Sequence, residues 1–192
     1  MSYYNLYYVN GRMGYFDRSD SFDAMNDEEA VGIAARHAGT QPLELWCGGR
    51  LVQRFENKCA EIISVGGGRL VKTVGDEVLY IAETPAAGAE ISLALAQAFT
   101  EDEILPEARV AMVWGRILSR LGDIYGPTVN LAARLTTLAD PGTVLVDSMT
   151  ASALDHDERF VLEPQPPENV RGFGEIRPVR LERGLGKGLV LD

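Results

Sequence analysis

The sequence is poor in cysteine, histidine and basic residues, and each shortage closes off a class of function. Two cysteines, Cys47 and Cys59, stand among 192 residues. They are too few for a disulfide framework and lack metal-ligand spacing, so both are expected to be reduced, buried thiols. The two histidines, His37 and His156, form no cluster. Lys and Arg number 18 against 28 Asp and Glu, a net charge of −10. A surface of that sign does not suit nucleic acid or an anionic bilayer. It leaves room for a small nucleotide, since a local basic pocket offsets the global charge. No apolar run approaches the roughly 20 residues that span a bilayer. The N-terminus is rich in tyrosine and has neither a basic region nor a cleavage pattern, so no signal peptide is expected. The chain reads as cytoplasmic, with no nucleic-acid and no membrane partner. There is no internal repeat and no Walker-type loop, because residues 68–72 lack the Gly-Lys-Ser/Thr ending such a loop requires.

What is present is an ordinary globular composition, 46% hydrophobic and 24% charged. The length suits one domain, or a small one plus a larger one. Residues 1–56 read as a small ββαββ module. Leu6 to Val9 and Met13 to Phe16 flank Asn10-Gly11, a tight-turn dipeptide. Asn26 or Asp27 can cap a helix over 28–37 that carries Ala30, Val31, Ile33 and Ala34 and ends at Gly39. Residues 43–46 and 50–55 read as two further strands. The second of these is ambiguous: Leu51, Phe55, Cys59, Ile62 and Ile63 also fit the stripe of one helix over 51–64.

Gly66-Gly67-Gly68 interrupts any helix there. Residues 69–74 and 77–81 then form a hairpin around Gly75-Asp76. Pro85 opens a helix to Phe99. Residues 109–114, apolar from Val110 to Trp114, are expected to be a central strand. Pro127 suits the first turn of a helix to about Leu138. A turn at Asp140-Pro141-Gly142, a strand over 143–146, a short helix from Ser148 or Thr150, and late strands at 160–162 and 179–181 complete the reading. Residues 184–192 are expected to be a flexible tail.

On the helix after Pro127, Asn130 and Arg134 are spaced i, i+4 and project from one face. A neutral donor beside a planar cationic fork suits a ribose oxygen and a phosphate on which charge develops. An Arg in a surface salt bridge beside a solvated Asn is the alternative. Two segments then coincide in order: Gly67-Gly68-Arg69-Leu70-Val71-Lys72-Thr73-Val74-Gly75-Asp76-Glu77-Val78-Leu79, and Gly122-Asp123-Ile124-Tyr125-Gly126-Pro127-Thr128-Val129-Asn130-Leu131-Ala132-Ala133-Arg134-Leu135. Together they resemble the class III nucleotidyl cyclase catalytic domain, of the compact bacterial type, over about residues 50–183.

The resemblance implies an α+β fold over 57–183, with a ferredoxin-like, mostly antiparallel sheet and helices on one face. It implies conversion of ATP to 3′,5′-cyclic AMP and pyrophosphate at the interface of a head-to-tail dimer. Lys72 and Asp123 would read adenine, Asn130 and Arg134 would stabilise the transition state, and Asp76 would bind Mg²⁺ or Mn²⁺. The family's first metal aspartate closes its first strand, about 44 residues earlier. That count lands on Gly32, and the nearest similar pattern, Tyr15-Phe16-Asp17-Arg18-Ser19-Asp20-Ser21-Phe22, lies upstream of it. Asp17, Asp20 or Asp23 could stand in. The first strand and helix of the domain are otherwise replaced by the ββαββ module. Three readings follow: a cyclase, weak or active as a homodimer; a nucleotide-binding subunit that forms a heterodimer with an intact cyclase; or an interaction protein on an old fold.

Overall fold

The structure, a computed structural model, describes residues 1–9, 16–38, 42–74, 76–103 and 105–184. The Asn10-Gly11 turn, Gly39, Gly75 and the tail beyond Gly184 lie outside the described residues. Strands β1 (Ser2–Val9), β2 (Phe16–Ala24), β3 (Leu43–Cys47) and β4 (Arg50–Phe55) form an antiparallel sheet in the order β2-β1-β3-β4. Alternation along β1 turns Tyr4, Leu6 and Tyr8 inward. Helix α1 (Asp27–Ala35) covers them with Ala30 and Ala34, four residues apart and fully buried. Asn26 caps it, its Oδ1 accepting the Glu29 N–H at 2.9 Å.

The ambiguity after Gly49 resolves as a strand followed by a shorter helix. β4 pairs with β3 from Phe55 to Arg50, and α2 (Lys58–Val65) starts afresh at Asn57. The Asn57 side chain accepts the Ala60 N–H at 2.8 Å. A cap of that kind is worth about 1 kcal/mol, and one continuous helix would forfeit both the cap and the β3–β4 ladder.

A second core gathers around α3 (Pro85–Thr100). The hairpin of β5 (Arg69–Val74) and β6 (Glu77–Ile81) rests on it. Tyr80 of β6 ties the two together, its hydroxyl 2.6 Å from Ser92 Oγ and 3.2 Å from Gly88 O. Gly68 is dictated by close approach: a Cβ there would sit 2.7 Å from Ile91 Cδ1. Next in the chain come β7 (Val110–Met112), β8 (Leu118–Arg120), β9 (Asp123–Tyr125), α4 (Pro127–Leu138), β10 (Val144–Val146) and α5 (Ser148–Leu154). They are followed by β11 (Phe160–Pro164), β12 (Glu168–Val170), β13 (Gly174–Ile176) and β14 (Val179–Arg183). A four-stranded sheet has the order β11-β14-β10-β7, parallel only between β10 and β7. The α+β class with mostly antiparallel strands is as expected.

Three details differ from expectation. β7 is an edge strand among the described residues, with β10 as its neighbour. Its apolar run reflects helices packed against it, α3 and α4, rather than strands on both sides. The helices also do not share one face. Val144 and Val146 of β10 join the α3 core, while Leu145 between them points to the other side, where α4 packs. Finally, two hairpins went unread, β8–β9 and β12–β13. No described helix is long and apolar enough to cross a membrane.

Candidate active site

Lys72 lies on β5 just past a register shift that follows Leu70. Its Nζ donates to Asp123 Oδ2 on β9 at 2.7 Å, across 51 residues of sequence. The other Asp123 oxygen accepts the Ile124 N–H at 2.8 Å. The ammonium of Lys72 first, and the Ile124 amide after it, hold the Asp123 carboxyl below the usual carboxylate range. Both side chains remain partly open, at 39% and 27% of full exposure, so an entering ligand can reach them. The β8–β9 hairpin carrying Asp123 turns at Leu121 and Gly122, both at positive φ. Beyond it Gly126, at φ 133°, turns the chain into α4 with Pro127 in the first turn.

Helix α4 is anchored by Leu135, which is fully buried. Asn130 and Arg134 are exposed. Together with Pro127 and Ala133 they line one wall of a cavity of about 570 Å³, within the usual size of a ligand cleft. The opposite wall is Arg171, Gly172 and Phe173, the turn between β12 and β13. Two guanidinium groups therefore share one cavity with an amide, a donor set for a polyanion. Arg171 was missed in the sequence. The available signal was Val170-Arg171-Gly172-Phe173-Gly174, with glycines at positive φ at 172 and 174 presenting a cation and a ring on a tight turn.

Asp76 sits exposed at the turn before β6. No hydrogen bond or ion pair among the described residues joins it to Lys72, Asp123, Asn130 or Arg134. Nor do the described residues contain any group of three or more His, Cys, Asp or Glu side chains that could hold a metal ion. A divalent cation such as Mg²⁺ is commonly held by one or two carboxylates together with substrate phosphates, and the exposed Asp76 fits as one such carboxylate. Asp20 is engaged elsewhere, accepting from Tyr8 at 2.8 Å and from Arg18. Asp23 is exposed on β2 of the N-terminal sheet, and the Asp17 side chain lies outside the described residues. Cys59 is an inert core thiol, its pKa pushed up to about 11 by burial.

Comparison with known proteins gives the family. A family model, the adenylate and guanylate cyclase catalytic domain, matches residues 49–183. An adenylate cyclase from Glutamicibacter nicotianae is 67% identical over 143 residues, covering 74% of this chain and 36% of the relative. One from Streptomyces coelicolor is 39% identical over 166 residues, covering 73% and 44%. The chain thus spans well under half the length of these curated relatives. Among solved structures, the adenylyl cyclase CyaB from P. aeruginosa superposes with a TM-score of 0.55 at 18% identity, covering 66% of this chain and 78% of that one. At that identity the likeness speaks to fold, and the family match speaks to descent. On these grounds the chain belongs to the adenylate and guanylate cyclase catalytic domain family.

Proposed function

We propose that this chain takes part in adenylate cyclase chemistry, turning ATP into 3′,5′-cyclic AMP and pyrophosphate in a site formed between two subunits. The observation that carries the reading is the convergence of Lys72 and Asp123 at 2.7 Å from separate hairpins. Adenine offers an acceptor at N1 and a donor at its amine. A lysine and an aspartate side by side match that order, and guanine inverts it. A mismatched base would leave buried polar groups unpaired.

The rest of the roles follow from α4. Asn130 orients the ribose. Arg134 meets the phosphate oxygens on which charge grows as the 3′-hydroxyl loses its proton to solvent, its oxygen bonds to the α-phosphorus and the bond to pyrophosphate breaks. Arg171, across the cavity, suits the departing pyrophosphate. Asp76 would supply a carboxylate to a bound Mg²⁺ or Mn²⁺, and no step is assigned through a metal. Residues 1–56 form a module with its own core and 57–183 the cyclase-type domain, a division supported by two separate clusters of buried side chains.

The family's first metal aspartate has no match at its expected place, where Gly32 stands, and this favours a second reading. Here the chain is a subunit that supplies the purine and phosphate side to an intact cyclase carrying the metal side. A cyclic AMP assay with ATP and Mn²⁺ separates the two. Turnover by the purified chain alone supports the first reading. Turnover only after mixing with an intact cyclase chain supports the second. None in either arm, with no ATP binding, refutes both.

A further inference from the structure

The loop between β7 and β8 is fastened at two points. At Trp114 the backbone N–H donates to Thr150 Oγ1 at 2.7 Å, and Thr150 is fully buried and bonded in turn to Asp147. At Arg116 the carbonyl accepts the hydroxyl of Thr128 at 2.8 Å. Thr128 is the second residue of α4, two before Asn130. Between the fastenings lies Gly115, where a Cβ would come within 2.8 Å of Thr128 Oγ1. The loop therefore lies against the start of α4 as closely as glycine permits.

The two bonded residues, Arg116 and Thr128, flank the base of the β8–β9 hairpin. That hairpin has only three residue pairs, Leu118↔Tyr125, Ser119↔Ile124 and Arg120↔Asp123. Ile124, 5% exposed, anchors it at one point. The half-exposed Lys72–Asp123 bond ties the hairpin near its tip, and the Thr128 bond is the one that holds its base to α4.

We propose that Thr128 is a positioning residue that clasps the Asp123 hairpin to the helix bearing Asn130 and Arg134, so that purine reading and phosphate contact keep one geometry. The inference rests on the cyclase reading for its consequence but not for its geometry. Thr128→Val keeps the shape and removes the hydroxyl, and Thr128→Ser restores it. Gly115→Ala, which pushes the loop from α4, is an independent way to open the clasp.

Thr128→Val is expected to melt within a few degrees of the parent, because the bond is near the surface. Amide exchange over residues 118–125 should quicken by about threefold or more, while α3 is unchanged. The preference for ATP over GTP should fall by about fivefold or more, with KM for ATP rising more than kcat falls. Thr128→Ser should sit near the parent, and Gly115→Ala near Thr128→Val. Unchanged hairpin exchange and unchanged nucleotide preference in Thr128→Val overturn the proposal, and so does a Ser variant as impaired as the Val variant. If the parent binds neither nucleotide, the cyclase reading fails. Exchange then decides the clasp alone, faster exchange supporting it and equal exchange refuting it.

Discussion

Lys72 Nζ and Asp123 Oδ2 stand 2.7 Å apart, joining the β5–β6 hairpin to the β8–β9 hairpin. A half-exposed pair of this kind contributes little to folding, so it opens readily for a base. Lys72→Ala and Asp123→Ala should each weaken ATP binding by about 1–3 kcal/mol and erase preference over GTP. Melting should move little. Equal affinity of the parent for ATP and GTP in a titration would sink the adenine assignment. The pair also sets a pH range. Asp123 is ionised more readily in the fold than free, so its contribution is complete above the free value of about 3.9 and is lost as pH falls through the lower folded value. Nucleotide preference should therefore not titrate through Asp123 above about pH 5.

Arg134→Ala is expected to lower kcat by about a hundredfold or more while ATP binding stays within a few-fold, since the fork is needed most where charge develops. Asn130→Ala should act in the same direction and more mildly. Both positions are exposed, so the variants should fold. Unfolding of Arg134→Ala at room temperature with unaltered nucleotide handling would identify a structural arginine instead.

Arg171→Gln should weaken inhibition by pyrophosphate by about tenfold, the loss of one charge-assisted contact. Binding of adenosine, which has no phosphate, should be unaffected. If adenosine and pyrophosphate lose affinity together, the β12–β13 turn is shaping the whole site rather than meeting the phosphates.

Turnover by the chain alone with Mn²⁺ is expected to be below the usual enzyme range, under about 1 s⁻¹. A rate inside that range would mean that another acidic residue completes the site. Alanine substitution of Asp17, Asp20 and Asp23 in turn would then find it.

Tyr4, Tyr8 and Tyr80 all have their hydroxyl pKa pushed up to about 12, by burial first. Hydrogen bonds to Asp27 and Asp20 reinforce this at Tyr4 and Tyr8. The fold holds these protons longer than the unfolded chain, whose tyrosines titrate near 10. Their contribution to stability is complete below about pH 10 and is lost as pH rises through about 12. Denaturation midpoints measured between those values should fall steadily, and ionisation of more than four of the seven tyrosines near pH 10 in the native protein would contradict this.

Much of this molecule was legible because local chemistry and tertiary packing agree. Asn26 caps its helix, Pro127 opens α4, and the i, i+4 spacing puts Asn130 and Arg134 on one cavity wall. The placement of β7 was not legible, for a physical reason. An apolar run reports what covers the two faces of a strand, and says nothing about its two edges. β7 is covered by α3 and α4 and still ends its sheet. The β8–β9 and β12–β13 hairpins are three residues per strand, too short for a period to show. Arg171 escaped with them, because its partners across the cavity lie some forty residues away in sequence and on another element.

That sheet edge also bears on how the protein behaves in solution. Edge strands are usually blunted by lysine, proline or a bulge, and Val110-Ala111-Met112 offers no charge and no proline. The strand is only three residues long, which itself limits strand-to-strand addition, and the common sign of neighbouring surfaces, set by the net charge of −10, adds to that protection. Salt weakens that repulsion, cutting its reach to about 10 Å at 0.1 M. The colloidal stability of this chain should therefore be a property of its buffer as much as of its fold.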